Sequence, residues 1–256
     1  MENGTVTMGS KEQIPAKWNM RFLPSGDTAL TVELGETVER GLSAAVVDLA
    51  ARLDRAALAG VVETVPTFRS LLVHYDPLVT SASALTERIG TLFDDSGGGQ
   101  AACRHCRIPA CYEGDMAPDL DEVAERTGLT SAQVIECHTA TAFHVYMLGF
   151  LPGYPYMGDL PKSLQLPRRE TPRIRVPAGS VAVAMGLTAV YTFESPGGWH
   201  LIGRTPIPFF NARRNPPALL RPGDSVSFTP VSRDTYESIA AEVANGSFEF
   251  ATVIAA

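Results

Sequence analysis

The sequence predicts an α+β protein in two parts: a small α/β unit, followed by a larger part built mainly of short strands. Three observations support this prediction. Strand-like and helix-like runs alternate over residues 18–95, and a glycine-rich stretch, DDSGGGQAA at 94–102, follows them. From Val145 onward, short apolar runs are interrupted by Pro and Gly at close intervals. This last texture is typical of a β-barrel or a β-sandwich.

Composition limits the classes of protein to consider. The chain has 256 residues, of which 45% are hydrophobic and 19% charged, enough to bury a sizeable core. A formal net charge of -7 argues against a general binder of nucleic acid or anionic membrane, because such proteins need a positive field. No apolar run reaches the roughly 18 to 20 residues of a membrane span. Four cysteines are few for this length, so we expect a cytoplasmic location.

The first part is predicted element by element. Residues 1–17 are polar without a sustained period, which indicates a flexible tail. MRFLPSGDTALTVELG predicts two strands around Pro-Ser-Gly-Asp, and VVETVPTFRSLLVHYDP predicts two more, broken at Pro66. Between them lies an amphipathic helix, and SASALTERIGTLFDD predicts a second helix opened by a serine cap. The residues at helical spacing in the first helix are Val38, Leu42, Val46, Leu49 and Leu53.

The predicted boundaries are a first domain at 18–95, a linker at 96–103 and a second domain at 104–256. The second domain begins with a strand at RIPACYEG. Two short helices then follow in APDLDEVAERTGLTSAQVIECHTA, separated by a turn at Gly128 and with Thr130 as the cap of the second. After the Pro- and Gly-rich region, SRDTYESIAAEVANG predicts a last helix and SFEFATVIA a last short run.

Three motifs suggest chemistry that their residues do not support. The helix pair is similar in outline to a DNA-reading helix-turn-helix, but its second helix offers no Lys or Arg to contact phosphates. Cys103-Arg-His-Cys106 would be half of a zinc site, with Cys111 and His105 nearby, yet a second pair at ligand spacing is missing. Cys137 and His138 are adjacent on a helix and point about 100° apart, which favours ordinary packing over a thiol nucleophile.

Positive charge is concentrated between Lys162 and Arg221. This segment holds nine cations, eight of them arginine, and two carboxylates, for a net charge of +7 in a chain of net charge -7. Arginine is suited to bidentate binding of carboxylate or phosphate. The segment is therefore either a solvated basic face or a site for an anion or an acidic partner.

Glycine-rich turns surround these arginines. They are GFLPGYPYMGDLP (149–161), VPAGSVAVAMG (176–186) and SPGGWHLIGRTP (195–206). Glycine permits sharp turns and close approach of a backbone to a ligand, but the corners of a small barrel need it equally. Neither a phosphate loop nor a dinucleotide fingerprint is present, which argues against those two modes of nucleotide binding.

Four ordered blocks carry a resemblance to a known family, and the likeness runs from Met20 to Val231. The blocks are HTATAFHVYMLGFLPGYPYMGDL, PRRETPRIRVPAGSVAVA, YTFESPGGWHLIGRTP and LLRPGDSVSFTPV. In these blocks the chain closely resembles the allophanate hydrolase subunit 1 family, which includes the B subunit of bacterial 5-oxoprolinase. A sporulation kinase inhibitor and part of the carboxyltransferase region of urea carboxylase belong to the same family.

The resemblance implies a ferredoxin-like α/β domain followed by a cyclophilin-like β-barrel. It also implies a partner, a second carboxyltransferase-type subunit, together with a third protein in the 5-oxoprolinase form. ATP would be used by the assembled complex, and no cofactor or metal is expected in this chain itself. One departure concerns the family stretch Gly-x-Gln-Thr-Gly-Ile-Tyr-Pro. This chain has Gly186-Leu187-Thr188-Ala189-Val190-Tyr191-Thr192 there, without the amide and one glycine.

From these residues we expect a cationic pocket that forms half of an amide-hydrolysing site for a small anionic amide, 5-oxoproline or a urea-derived carboxylate. Gly197 and Gly198 would let backbone N–H groups approach developing negative charge, and Trp199 would form an apolar wall. His200 or His138 would move a proton. The arginines expected to hold the carboxylate or a phosphorylated intermediate are Arg168, Arg173 and Arg204.

An alternative from another class is a binding module that inhibits a sensor histidine kinase, as the inhibitor relative does. The fold alone does not choose between the two functions.

Overall fold

The computed structural model describes residues 20–94 and 103–255. The predicted tail (1–17) lies outside the described residues. Of the predicted linker (96–103), only residue 103 lies within them. Within the described ranges the chain is a mixed α+β structure with one four-stranded sheet, one eight-stranded sheet and a two-stranded ribbon. No helix in these ranges has both the length and the apolar character that a membrane crossing requires.

The first sheet is antiparallel, with its strands in the order β1-β2-β4-β3. Two hairpins, β1-β2 and β3-β4, join where Thr31 of β2 faces Leu72 of β4. Both predicted pairs of strands are confirmed, and Pro66 ends the third strand as expected. The strands are β1 (Arg21–Pro24), β2 (Ala29–Glu33), β3 (Val61–Pro66) and β4 (Ser70–Tyr75).

Two helices cover this sheet, α1 (Arg40–Ala56) and α2 (Ala82–Asp94). The predicted apolar face of α1 is buried, except that Val38 precedes the helix and is exposed. Ser81 Oγ accepts a hydrogen bond from the backbone N–H of Ala84 (3.3 Å), which confirms the serine cap of α2. The buried residues of helices and sheet form one apolar cluster.

The second sheet is a barrel of seven strands that is nearly closed. Its order is β12-β9-β10-β7-β6-β13-β5, and β14 (Ile254–Ala255) pairs with the far side of β5. All neighbours are antiparallel except β13 and β5. The barrel strands are β5 (His105–Ala110), β6 (Phe143–Leu148), β7 (Pro155–Gly158), β9 (Ser180–Ala184), β10 (Leu187–Val190), β12 (His200–Arg204) and β13 (Ser225–Pro230).

The seam of the barrel is a single bridge beyond the end of β5. Cys111 and Arg204 exchange both backbone hydrogen bonds, each 2.8 Å long, and so connect the β5 end to β12. A separate ribbon of β8 (Arg173–Val176) and β11 (Ser195–Gly197) lies outside this sheet. The predicted barrel or sandwich is thus confirmed as a barrel-like sheet.

Three helices accompany the barrel: α3 (Leu120–Thr127), α4 (Ser131–Thr139) and α5 (Arg233–Asn245). As predicted, Gly128 ends α3 in the left-handed conformation (φ 70°) and Thr130 caps α4 through a capping box with Gln133. Ser232 caps α5 by accepting from the Thr235 N–H. Val123 and Val134 of α3 and α4 join the main apolar core.

The first sheet and the barrel touch along α1 and the β3-β4 turn. Arg40 forms an ion pair with Asp159, and Ser43 Oγ lies 2.9 Å from His144 Nε2. The Phe68 ring packs on Tyr146, with ring centroids 5.4 Å apart, and on Tyr156 at 6.1 Å. These contacts place the turn of the first sheet beside the strands that carry the candidate site.

Candidate functional site

Aromatic side chains cluster on the face of the barrel sheet opposite the main core. Alternation along β9 separates the two faces, since Val181 and Val183 join the main core whereas Ala182 and Ala184 pack against this second cluster. We call its four rings the aromatic cluster: Tyr154, Tyr156, Tyr191 and Trp199. Ring centroids are 5.1 Å apart for Tyr154 and Tyr156, 5.3 Å for Tyr154 and Tyr191, and 6.1 Å for Tyr156 and Trp199.

A cation adjoins the aromatic cluster. Burial raises the pKa of Tyr154, Tyr156 and Tyr191, and the positive charge of Arg168 partly opposes that rise. Arg168 is exposed, and within the described residues it has no ion-pair or hydrogen-bond partner. Arg168 is thus an exposed guanidinium whose charge acts on the tyrosines of the aromatic cluster.

The loop before β7 extends the aromatic surface. Phe150 adopts the left-handed conformation (φ 68°), its side chain is 63% exposed, and its ring lies 5.4 Å from Tyr154. Positive φ is a strained conformation for a bulky residue. The chain therefore holds a large apolar ring in solvent, next to the aromatic cluster, where burial by another molecule would be favourable.

The two predicted glycines of the Pro-Gly-Gly turn have different surroundings. A Cβ on Gly197 would lie 2.2 Å from the Tyr191 hydroxyl oxygen, so only glycine fits there. A Cβ on Gly198 would meet nothing closer than 3.6 Å, and the Gly198 carbonyl accepts from the Arg169 N–H (2.8 Å). The close packing of Gly197 explains its identity without an oxyanion.

An ionic network lies behind the ribbon. The carboxylate of Asp119, buried at the start of α3, accepts from both terminal nitrogens of Arg173 and from the Leu201 N–H (2.7 Å). Arg169 Nη1 donates to Asp119 Oδ1 (3.2 Å) and to Glu122 Oε2 (2.6 Å). The hydrogen bond from Arg169 holds the pKa of Glu122 below its ordinary value. Arg173 and Arg169 are thus neutralised within the chain.

His200 borders this network. It is fully buried on β12, its Nε2 lies 3.0 Å from the Pro167 carbonyl oxygen, and its Nδ1 lies 3.8 Å from Glu122 Oε1. Nδ1 has no hydrogen-bond partner among the described residues. One nitrogen of the ring therefore remains available beside a carboxylate.

His138 lies in the main core. Its ring is fully buried between Phe143 and Phe228, with Nδ1 2.9 Å from the Tyr112 hydroxyl and Nε2 3.0 Å from Thr188 Oγ1. Burial lowers the pKa of His138 to about 3. Both nitrogens have partners, and the ring is held neutral.

Arg204 lies at a third place, at the seam of the barrel. Its Nε donates to the Ala178 carbonyl oxygen (3.0 Å), next to a cavity of about 220 Å³ between the barrel and α5. Tyr191 belongs both to the aromatic cluster and to the lining of this cavity. The two features therefore share one wall.

The structure thus brings together some of the predicted site residues. Trp199 belongs to the aromatic cluster, Gly197 packs against its Tyr191, Gly198 directly precedes Trp199, and the charge of Arg168 acts on its tyrosines. The other four are elsewhere: Arg173 and His200 at the ionic network, Arg204 beside the cavity and His138 in the core. The predicted arginines do not converge on one pocket. Arg175, another arginine of the basic segment, pairs with the exposed Glu194.

No three metal-ligating side chains converge within residues 20–94 and 103–255. Of the C-x-x-C motif, Cys103 is exposed, whereas Cys106 is buried and burial raises its pKa to about 11.

Sequence reasoning misses the carboxylates Asp119 and Glu122, which it places only in the helix pair, and the cavity beside α5. A signal for the first was present, since the acidic run of α3 is the natural counterpart of the basic segment. For the cavity we find no such signal, because its walls come from distant parts of the sequence.

The fold and the surroundings of this site agree with one class of protein. The family model for the carboxyltransferase domain, subdomain C and D, matches residues 20–220, and the chain belongs to this family. The resemblance inferred from the four sequence blocks is therefore confirmed.

Among its relatives, the 5-oxoprolinase B subunit of Bacillus subtilis (strain 168) is 37% identical, over 83% of this chain and 93% of the relative. The protein of the same name from Escherichia coli O157:H7 is 40% identical, over 80% of this chain and 93% of the relative. Of solved structures, the urea carboxylase of Kluyveromyces lactis superposes with a TM-score of 0.75 at 22% identity. That match covers 92% of this chain but only 23% of the solved chain, and it shows likeness of fold.

Proposed function

We propose that this chain is the B-type member of an ATP-dependent amide-hydrolysing complex that opens 5-oxoproline to glutamate. The observation that carries the proposal is the pair of relatives named as B subunits of 5-oxoprolinase, each matched over 93% of its length. Those relatives carry an enzyme-subunit name, which favours this function over a kinase-inhibiting module. A urea-derived carboxylate, as in allophanate hydrolysis, is the alternative substrate that we propose for such a complex.

The architecture we propose is a ferredoxin-like first domain (18–95), a linker (96–103) and a cyclophilin-like second domain (104–256). Two separate apolar cores, one on each side of the linker, support this division. A cytoplasmic location and the use of ATP by the assembled complex belong to the same proposal.

The substrate-facing part of this chain would be the aromatic cluster with Arg168. A small anionic amide needs a cation for its carboxylate and apolar walls for its ring, and this surface offers both. Arginine binds carboxylate through charge-assisted hydrogen bonds, which are stronger than neutral ones. Since Arg169 and Arg173 are already neutralised by Asp119 and Glu122, Arg168 is the guanidinium best placed for that task.

The catalytic groups near this surface are incomplete, which supports a site shared with a second polypeptide. Within the described residues, Ser195 Oγ and His200 Nδ1 both have no hydrogen-bond partner, so they do not form a serine-histidine pair. A serine hydroxyl needs such a base to become a nucleophile. His200 remains our candidate proton carrier, because both nitrogens of His138 are engaged. The partner would be a carboxyltransferase-type subunit, together with a third 5-oxoprolinase protein.

Reconstitution tests the proposal. The chain is purified alone and with the two further subunits encoded by the same genome, and glutamate formed from 5-oxoproline is measured with and without ATP. We expect turnover only in the complex with ATP. In that complex, Arg168→Gln should reduce kcat/KM for 5-oxoproline about 10- to 100-fold, the effect of losing one charge-assisted hydrogen bond.

Arg88→Gln is the matched control, because Arg88 is an exposed arginine on α2. Its complex should keep wild-type kinetics. ATP-dependent turnover by the isolated chain would refute the shared site. A complex that hydrolyses allophanate but not 5-oxoproline would move the proposal to the second substrate, and tight binding of a sensor kinase without any turnover would favour the binding module.

A further inference from the structure

The turn between β3 and β4 reaches the barrel through one aromatic side chain. Phe68 lies in this turn and is half-buried. Its ring centroid is 5.4 Å from that of Tyr146 on β6 and 6.1 Å from that of Tyr156 on β7. A residue of the first sheet therefore contacts rings on two neighbouring strands of the barrel.

Tyr156 links this contact to the aromatic cluster. Its ring meets Phe68 edge-on, at an interplanar angle of 67°, and it meets Trp199 in the same way at 69°. Aromatic pairs at roughly 4.5 to 7 Å are attractive, and they favour such edge-to-face arrangements. The orientation of Tyr156 is thus determined in part by a residue outside the cluster.

The Tyr146 ring is held by the backbone next to it. The register of β6 against β7 shifts between Val145 and Met147, as at a β-bulge. A Cβ on Gly158 would lie 2.2 Å from Tyr146 Cε2, so the ring packs directly on the β7 backbone. Bulges redirect side chains and are common beside active sites. Tyr146 therefore gives Phe68 a fixed surface to pack against.

Helix α1 holds the same junction by polar contacts. Arg40 pairs with Asp159, which directly follows β7 and accepts a hydrogen bond from the Tyr146 hydroxyl (3.3 Å). Ser43, fully buried on α1, has its Oγ 2.9 Å from His144 Nε2 on β6. These contacts fix the first sheet against the two strands that carry the partners of its aromatic turn.

We propose that Phe68 is a positioning residue of the candidate site. Its ring holds Tyr156 in the wall of the aromatic cluster, so both sheets of this chain build the surface that would receive the substrate. Phe68 acts through Tyr156 and takes no part in the chemistry itself. The kinetic consequence of this inference rests on the proposed function, whereas the effect of Phe68 on the aromatic cluster does not.

The first test uses the full chain alone and needs no turnover. NMR follows the indole N–H resonance of Trp199, which is assigned with Trp199→Phe. Phe68→Ala should shift this resonance, because Tyr156 loses the ring that orients it against the indole. Phe68→Tyr keeps the ring and should leave the resonance near its wild-type position. Phe22→Ala is the matched control, since Phe22 is also half-buried but packs on the core of the first sheet.

The second test measures 5-oxoproline kinetics in the reconstituted complex. Phe68→Ala should raise KM about two- to tenfold, the equivalent of one aromatic pair, and should change kcat less than about twofold. The reason is that a wall in contact with both substrate and transition state contributes uniform binding, which appears in KM. Phe68→Tyr should restore KM, and Phe22→Ala should leave it unchanged.

An unchanged Trp199 resonance in Phe68→Ala, or an equal shift in Phe22→Ala, would overturn the proposal. A KM for Phe68→Ala no higher than that for Phe22→Ala would do the same. If Phe68→Ala fails to fold, Phe68→Leu replaces it in both measurements, because leucine keeps an apolar side chain without the ring. A complex that does not turn over 5-oxoproline would contradict the proposed function alone, since the Trp199 resonance of the isolated chain still decides the role of Phe68.

Discussion

Single residues in the Pro-Gly-Gly turn are constrained by their neighbours in the barrel. A Cβ on Gly197 would clash with the Tyr191 phenol, whereas a Cβ on Gly198 would make only ordinary contacts, none closer than 3.6 Å. Both glycines precede Trp199 in the same turn, so the sequence alone does not show which of them is tightly packed. Their difference arises from Tyr191, which lies on another strand end.

Gly197→Ala should therefore destabilise the protein by about 1 to 3 kcal/mol, because the added methyl group would have to displace the Tyr191 hydroxyl. The midpoint of urea unfolding measures this change. Gly198→Ala is the matched control and should change the free energy of unfolding by less than about 0.5 kcal/mol. Equal midpoints for the two variants would show that the Gly197 contact is not required.

At the same scale, the sequence predicts an apolar wall at Trp199, which lies in the aromatic cluster, but it does not show which arginines are already paired. Asp119, which neutralises Arg169 and Arg173, precedes them by about fifty residues in the chain. Ion pairing over such a distance depends on how α3 packs against β12, and no local spacing encodes it. A basic segment is thus a poor guide to a basic pocket.

Among elements, the β8-β11 ribbon is held to α3 by the ion pair between Arg173 and Asp119. Arg173 leads β8, Asp119 precedes α3, and the carboxylate also accepts from the backbone of β12. Three separate elements therefore meet at one buried carboxylate. The ribbon carries Gly197 and leads directly to Trp199, so this network positions one side of the aromatic cluster.

Asp119→Asn should cost about 3 kcal/mol of unfolding free energy, because it leaves two arginines without their buried partner. Glu194→Gln, which breaks the exposed pair with Arg175 on the same ribbon, should cost less than about 1 kcal/mol. Chemical denaturation of both variants gives the comparison. A loss for Asp119→Asn no larger than for Glu194→Gln would mean that the network does not stabilise the ribbon.

The helices were the most predictable elements, because their signals are local. Ser81, Thr130 and Ser232 cap α2, α4 and α5, and Gly128 ends α3, all at positions readable in the sequence. The closure of the barrel was not readable in this way. It depends on the parallel pairing of β5 with β13 and on the bridge between Cys111 and Arg204, which join residues about a hundred positions apart.

Across the whole molecule, two histidines lie away from the proposed site, one buried and the other half-buried. His138 lies in the barrel core, and His144 lies where α1 meets the barrel, close to Ser43. Burial lowers the pKa of both rings; for His144 the charge of Arg40 acts in the same direction, while Asp159 and Asp224 oppose it. Acid should therefore destabilise both the barrel core and the junction between α1 and the barrel.

Stability should fall as the pH drops below 6.5. The unfolded chain takes up protons near the ordinary histidine pKa of 6.5, whereas folded His138 resists protonation down to about 3. For His138 alone the free energy of unfolding should decrease by about 2 kcal/mol between pH 7.5 and 5, a range above that in which carboxylates titrate. Urea titrations at several pH values measure this slope, and His138→Gln should flatten it. An NMR titration in which His138 becomes charged near its ordinary pKa would contradict the assignment.

The position of Trp199 has a practical consequence. The sequence contains two tryptophans, Trp18 and Trp199, and the indole of Trp199 packs against Tyr156 in the wall beside Arg168. Once Trp18 is replaced by Phe, all indole fluorescence of the chain would originate from that wall. Docking of another protein or entry of a small molecule next to Tyr191 would then change the emission without any added dye.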